Sequence, residues 1–255
     1  MTFITSIILG LCMGSGALFS IRYGQKDEKG LQEDVCASFF FIALITFILT
    51  VISYIFLNQL SVFLHVPYEV WEDMKGYLIV IFIGIPAIFL YNYFASYLRA
   101  IGNSMTPLIF LAVSAILNIA LDLFFVIVLK LGVEGAAIAT VISQYLSGIG
   151  ISIYSLIKNM QVRAIMKLQY LHLKRVHKVI SFSVLTCIQQ SVMNLGILMV
   201  QGLVNSFGTV VMAAFAAAVK LMLLHICQYK ILEMHFLLLL LKTMVQKKKC
   251  VFNQD

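Results

Sequence analysis

The chain is a succession of long uninterrupted apolar stretches separated by short polar intervals. Apolar runs occupy 3–21, 35–64, 76–98, 107–129, 131–157 and 179–204, with a more broken candidate after 209. Each approaches or exceeds the roughly 20 residues that an α-helix needs to cross about 30 Å of hydrocarbon. Most runs are continuously apolar and do not alternate, which excludes the period-two pattern of barrel strands. The pattern therefore predicts an all-α membrane protein with about six to seven transmembrane helices.

The polar intervals orient these helices. If the first run ends in the cytoplasm, the inside connections hold ten basic residues, Arg22, Lys26, Lys29, Arg99, Lys158, Arg163, Lys167, Lys174, Arg175 and Lys178. The outside connections hold Lys75 and Lys130 beside Glu69, Glu72 and Asp73. This asymmetry follows the positive-inside rule. Met1 then lies outside, an odd position for a native start, so a preceding span is expected. The first run is not a secretory signal, because residues 3–21 are uncharged for 19 positions with no basic residue before them.

Composition agrees with lipid as the solvent. The chain is 62% hydrophobic and 11% charged, with mean hydropathy +1.00, whereas soluble domains carry about 25% charged residues. A net charge of +7 raises the prospect of a nucleic-acid partner. The cations, however, sit in short clusters between apolar runs, and no groove-sized basic surface is left over. The expected partner is membrane lipid, with no nucleic acid. The five cysteines, Cys12, Cys36, Cys187, Cys227 and Cys250, form neither a CxxC pair nor a disulfide framework.

The longest polar segment, 158–178, divides five clean spans from the remaining apolar stretches and reads as a linker between two helical bundles. Its basic residues alternate with Leu, Val and Ile, so it fits either a solvated linker or an amphipathic helix on an anionic leaflet.

Candidate chemistry is sparse. Asp122 is the acidic residue well inside an apolar run, about 22 Å along a helix that enters from the cytoplasm at Pro107. An ionised carboxylate at that depth is costly unless paired or hydrated. Asn118 precedes it by four residues and shares its helical face. Such oxygens can hold a proton or a sodium ion; alternatively they can hydrogen-bond a neighbouring helix and glue two spans together. Gln189, Gln190 and Asn194 make a polar stripe in the span 179–204, able to contact an organic cation or to pack against a partner helix. A membrane-embedded enzyme would need paired carboxylates, a Cys/His dyad or metal-ligand spacing within the spans. None is visible, so neither a catalytic residue nor a metal site is expected.

Three segments resemble the MATE (multidrug and toxic compound extrusion) family. Gly14 to Asp27, closing with Tyr23-Gly24-Gln25-Lys26-Asp27, is similar to the family's second helix and its turn. Tyr97-Leu98-Arg99-Ala100-Ile101-Gly102-Asn103-Ser104-Met105-Thr106-Pro107, then Leu117 to Asp122 and Gly132 to Thr140, follow the order of its fourth, fifth and sixth helices. Ile188-Gln189-Gln190 onward to Val204-Asn205-Ser206-Phe207-Gly208 looks like its seventh.

The resemblance implies a MATE-like helical bundle, part of a twelve-helix, two-bundle design. Residues 1–157 would be the remainder of the N-terminal bundle, 158–178 a cytoplasmic basic linker, and 179–220 the start of the C-terminal bundle. It also implies a multi-pass protein of the cell membrane that exports organic cations or drugs as a monomer, coupled to Na⁺ or H⁺ with no other cofactor. In archaeal-type members an Asn, an Asp four later and a Thr eighteen beyond that belong to the cation site. Asn118, Asp122 and Thr140 reproduce both spacings. The family completes this site with an aspartate on its first helix, for which this chain has no counterpart. Gln189, Gln190 and Asn194 would face the substrate cavity. A flippase of lipid-linked precursors, from the same superfamily, is the alternative. It tends to carry several cations in its cavity, and the runs expected to form the cavity here carry none. A membrane fragment without transport activity is a further alternative.

After Lys220 the character changes, with Lys220, His225, Lys230, Glu233, His235 and Lys242 interrupting a stretch where the family has a full span. Back-translation of Leu221 to Lys249, with one adenine restored after Lys220, reads as a string that resembles the family's eighth helix. That string ends in a Tyr-Gly-x-Lys turn like Tyr23-Gly24-Gln25-Lys26. Residues 221–255 are thus expected to be a frameshifted tail, with a genuine amphipathic tail as the alternative. His225 and His235 are accordingly not taken as metal ligands.

Overall fold

The computed structural model describes residues 2–57, 68–166 and 173–205, together with 214–215 and 218–219. Among these residues the chain is helical, and six helices are long and apolar enough to cross a membrane. The expected tail, 221–255, lies outside the described residues. The chain divides into two compact units, residues 1–195 and 196–255. In the second unit, the last turns of a helix and the residues at 214–215 and 218–219 are described.

The first unit is a set of antiparallel helices whose ends follow local chemistry. Helix α1 (Thr2–Gly24) stops at Gly24, and Lys26 takes a positive φ of 56° in the turn. Asp27 then caps α2 (Glu28–Ile55), its carboxylate accepting from the Gly30 N–H at 2.9 Å. One span is broken into α3 (Tyr68–Ile83) and α4 (Ile85–Ala100). The break falls at Gly84, and Pro86, which has no N–H to donate, opens α4. The end of α4 is closed by Gly102 at φ 88°, with Asn103 N–H bonded back to Leu98 O at 2.8 Å. Helix α5 (Met105–Leu123) comes next with Pro107 in its first turn and runs on into a π-helical turn, Phe124–Val128. Helix α6 (Gly132–Lys158) returns, and Arg163 folds back to donate to its last carbonyls, Leu156 O at 2.9 Å and Ile157 O at 2.7 Å.

Helix α4 is the centre of this unit and packs against α1, α2 and α6, while α5 packs on α6. The core between α1, α2 and α4 is aromatic, with Phe19, Phe39, Phe89, Phe94 and Tyr97 gathered around Tyr93. Tyr93 is buried, and its hydroxyl donates to Val35 O at 2.7 Å beside Ser38. A polar tip in a dry core therefore costs no unpaired donor. Phe47, Ile116 and many other large apolar side chains point outward, as lipid contact requires.

The polar segment 158–178 is not uniformly a connection. A short 3₁₀ turn, Val162–Met166, packs on α2 with Val162 fully buried. Helix α7 (Leu173–Asn205) starts inside the segment, so Lys174, Arg175 and Lys178 belong to its first turns.

Candidate functional site

The antiparallel pair α5–α6 carries the sequence-predicted cation site, built as a ladder of small polar groups. Stepping along α5 by one turn at a time passes Phe110, Ser114, Asn118 and Asp122. Ser147 Oγ donates to Phe110 O at 3.3 Å, and Ser114 Oγ donates to Ser143 O at 2.9 Å. Asn118 Nδ2 then reaches Thr140 Oγ1 at 3.4 Å, a long contact. Thr140 Oγ1 itself donates to Ala136 O, one turn back on α6, at 2.9 Å.

Continuing this register brings Asp122 level with Ala136, whose carbonyl is already engaged by Thr140. The ladder therefore ends without a rung. Asp122 Oδ1 is buried and has no hydrogen-bond partner, and no ion pair reaches Asp122 among the described residues. Buried polar atoms are nearly always satisfied; Asp34 Oδ1 is also without a hydrogen bond, but Asp34 has Arg22 on its other oxygen, whereas Asp122 has no charged partner among the described residues.

The backbone beside this site is also irregular. One residue beyond Leu123 the helix widens into its π turn, with Leu129 N–H bonded to Phe124 O at 3.0 Å, five residues back. Such turns inside helices recur at functional sites. The return into α6 needs two left-handed residues, Lys130 at φ 53° and Gly132 at φ 59°. The structure thus brings together Asn118 and Thr140 and leaves Asp122 one turn further along the same face. An amide oxygen, a hydroxyl and a carboxylate form a set of hard oxygens that suits a proton or a sodium ion.

The polar stripe of α7 is less uniform. Gln189 is exposed and Gln190 is half-buried. The side chain of Asn194 lies outside the described residues.

Two features escaped sequence reading. A cavity of about 620 Å³ between α1, α4 and α5 is lined by Ser20, Asn92, Ser96 and Arg99 among others. Arg99, read as a loop residue, thus lines a cavity. The second is Asp34, which sits just ahead of the apolar run 35–64 and looked like its flank. It is fully buried on α2, with Arg22 Nε at 2.9 Å from its Oδ2 and Arg175 Nη1 at 3.8 Å from its Oδ1. The available signal was the spacing of Arg22, Asp27 and Asp34 around one tight turn.

Comparison with known proteins agrees with this architecture. The sequence profile of the MatE family matches residues 1–124. The probable multidrug resistance protein YpnP of Bacillus subtilis is 30% identical over 227 residues, which are 86% of this chain and 48% of that protein. The chain belongs to the MATE family. The multidrug export protein MepA of Staphylococcus haemolyticus is 29% identical over 147 residues, 58% of this chain and 32% of its own length.

A multidrug resistance MATE family transporter of the MOP superfamily, solved facing inward, has a TM-score of 0.76 at 22% identity, over 88% of this chain and 51% of its own. An outward-facing structure of the same description has a TM-score of 0.77 at 20% identity, over 88% and 50%. These likenesses establish the MATE fold for a chain that spans about half the length of the relatives it matches. This MATE chain is a multi-pass membrane protein, consistent with its six long apolar helices.

Proposed function

We propose that these residues belong to a cation-coupled antiporter of the cell membrane that expels organic cations or drugs in exchange for Na⁺ or H⁺. The observation that supports this reading is the orphaned, buried carboxylate oxygen of Asp122, one turn from the Asn118–Thr140 contact. A cation arriving from outside neutralises that carboxylate, which is costly to bury charged. Loading therefore favours whichever conformation encloses the site, and a conformational equilibrium moves only by such differential affinity. Two bundles rocking about their interface would turn that shift into export, as in other transporters built from related repeats. The names of similar proteins, multidrug resistance and multidrug export, point to the same substrate class. The polar stripe of α7, Gln189, Gln190 and Asn194, is the proposed contact for the drug.

The test uses the complete gene product that carries these residues, expressed in a drug-sensitive bacterium. Ethidium accumulation is expected to fall relative to cells without it, and to recover when the coupling gradient of Na⁺ or H⁺ is collapsed. Efflux whose rate and ion dependence survive Asp122→Asn would remove Asp122 from the mechanism.

A further inference from the structure

Helices α1 and α7 run antiparallel and approach closely over the basic half of the bundle, which faces the cytoplasm by the positive-inside rule. Their contact is a seam of small residues. A Cβ built on Gly10 would lie 2.6 Å from the Cα of Cys187, and one on Gly14 would lie 2.5 Å from the Cα of Ser183. Gly10 and Gly14 make a GxxxG pair, matched by Ser183 and Cys187 at the same spacing on α7. Ser183 Oγ also donates to Leu11 O at 3.2 Å and lies 3.3 Å from Ser15 Oγ. One turn further, the register pairs Leu18 with Val179, both buried. The next turn brings Arg22 of α1 level with Arg175 of α7.

At that level the seam ends in a chain of charges. Arg22 donates to Asp27 Oδ2 at 2.7 Å and to Asp34 Oδ2 at 2.9 Å. Arg175 holds Glu33 Oε2 with Nε at 2.7 Å and Nη2 at 2.6 Å, and faces Asp34 from 3.8 Å. The α1–α2 hairpin thus presents three carboxylates against one arginine of its own, and α7 supplies the second cation. Nothing in α7 itself favours Arg175 there, because a cation in the first turn of a helix opposes its dipole.

The two layers differ in kind. The inner pair, Arg22–Asp34, lies within one hairpin, with side chains 13% and 0% exposed. The outer pair, Arg175–Glu33, bridges to α7, and its side chains are 29% and 23% exposed. If α7 moves away, Asp34 keeps Arg22, while Glu33 and Arg175 at the rim exchange each other for water. The inner pair is built to persist and the outer pair to break.

We propose that Arg175 with Glu33 and Asp34 is a charge latch that closes the cytoplasmic end of the α1–α7 seam and releases when the two helices part. The proposal rests on the alternating-access reading above for the purpose of that motion.

The test uses the full chain in membranes with Cys227 and Cys250 replaced by serine. Cys12 and Cys36 are fully buried, so N-ethylmaleimide modification of Cys187 reports water entering the seam. Arg175→Gln is expected to raise the labelling rate about tenfold, a typical coupling between two conformations. Arg175→Lys, which keeps the cation facing Glu33 and Asp34, is expected to label at a rate well below that of Arg175→Gln and within a few-fold of the parent. Should Arg175→Gln fail to accumulate, Glu33→Gln carries the same expectation at the exposed rim. A parent-like rate in Arg175→Gln overturns the latch. So does an Arg175→Lys chain that labels as fast as Arg175→Gln, since the charge would then play no part. Drug accumulation is not the readout, so a protein that exports nothing while its seam obeys these charges would overturn the transport reading and leave the latch standing.

Discussion

Asp34, fully buried, and Asp122, half-buried with its Oδ1 inaccessible, are both acids on apolar helices, and the structure surrounds them differently. Asp34 lies between two guanidinium groups contributed by α1 and α7: its Oδ2 is bonded to Arg22, while its Oδ1 makes no hydrogen bond and faces Arg175 from 3.8 Å. Asp122 stands at the end of a ladder whose other rungs are filled, with an oxygen that finds nothing. Removing one partner of a buried ion pair is strongly destabilising, because the other charge is left stranded. A solitary carboxylate strands nothing when it is removed. Burial alone therefore does not separate these two acids. The distinction lies in whether the surrounding structure already answers the charge.

That contrast can be broken by substitution. The largest loss of stability is expected from Arg22→Ala, which leaves Asp34 fully buried with its nearest cation at 3.8 Å. A cost of roughly 3–5 kcal/mol is expected, read as a lower melting temperature of the detergent-solubilised chain. Gly14→Leu comes next, because even a Cβ there meets the backbone of Ser183 at 2.5 Å and the helices must separate. The expected loss is about 1–3 kcal/mol, accompanied by faster thiol labelling of Cys187.

Smaller effects sharpen the other side. Thr140→Val removes the weak contact from Asn118 and should cost about 0.6 kcal/mol, the typical worth of a hydrogen bond between membrane helices. Its apparent affinity for the coupling ion should fall more visibly than its melting temperature. Asp122→Asn is expected to change stability by less than about 0.5 kcal/mol, since no bonded partner is lost. Efflux by the complete gene product should nonetheless lose its ion dependence. If Asp122→Asn and Arg22→Ala destabilised the chain equally, the distinction between the two acids would collapse.

Much of this architecture was readable along the chain. Six long apolar helices appear where continuous apolar runs stand, and Gly102 and Pro107 mark the turn between α4 and α5 as their chemistry requires. The spacing of Asn118, Asp122 and Thr140 was likewise visible, and the crossing of α5 and α6 brings two of the three into contact. Asp34 was missed because hydropathy reads it as the flank of a span. Asp27 caps the helix well before that run begins, which carries Asp34 onto the inner face of α2. The start of α7 at Leu173 was hidden for a related reason. Its first turn is basic and polar, and its Arg175 is held by the carboxylate of Glu33, 142 residues away.

The sequence by itself determined that this chain lives in lipid, where its long helices run along the chain and which residues end several of them. Each of those conclusions comes from local hydrophobicity, charge asymmetry and spacing within single helices. Which acid is answered and which is left waiting was decided only in three dimensions. Compensation of a charge depends on a few ångströms between side chains from different helices, and no periodicity within one helix records where the next one crosses it.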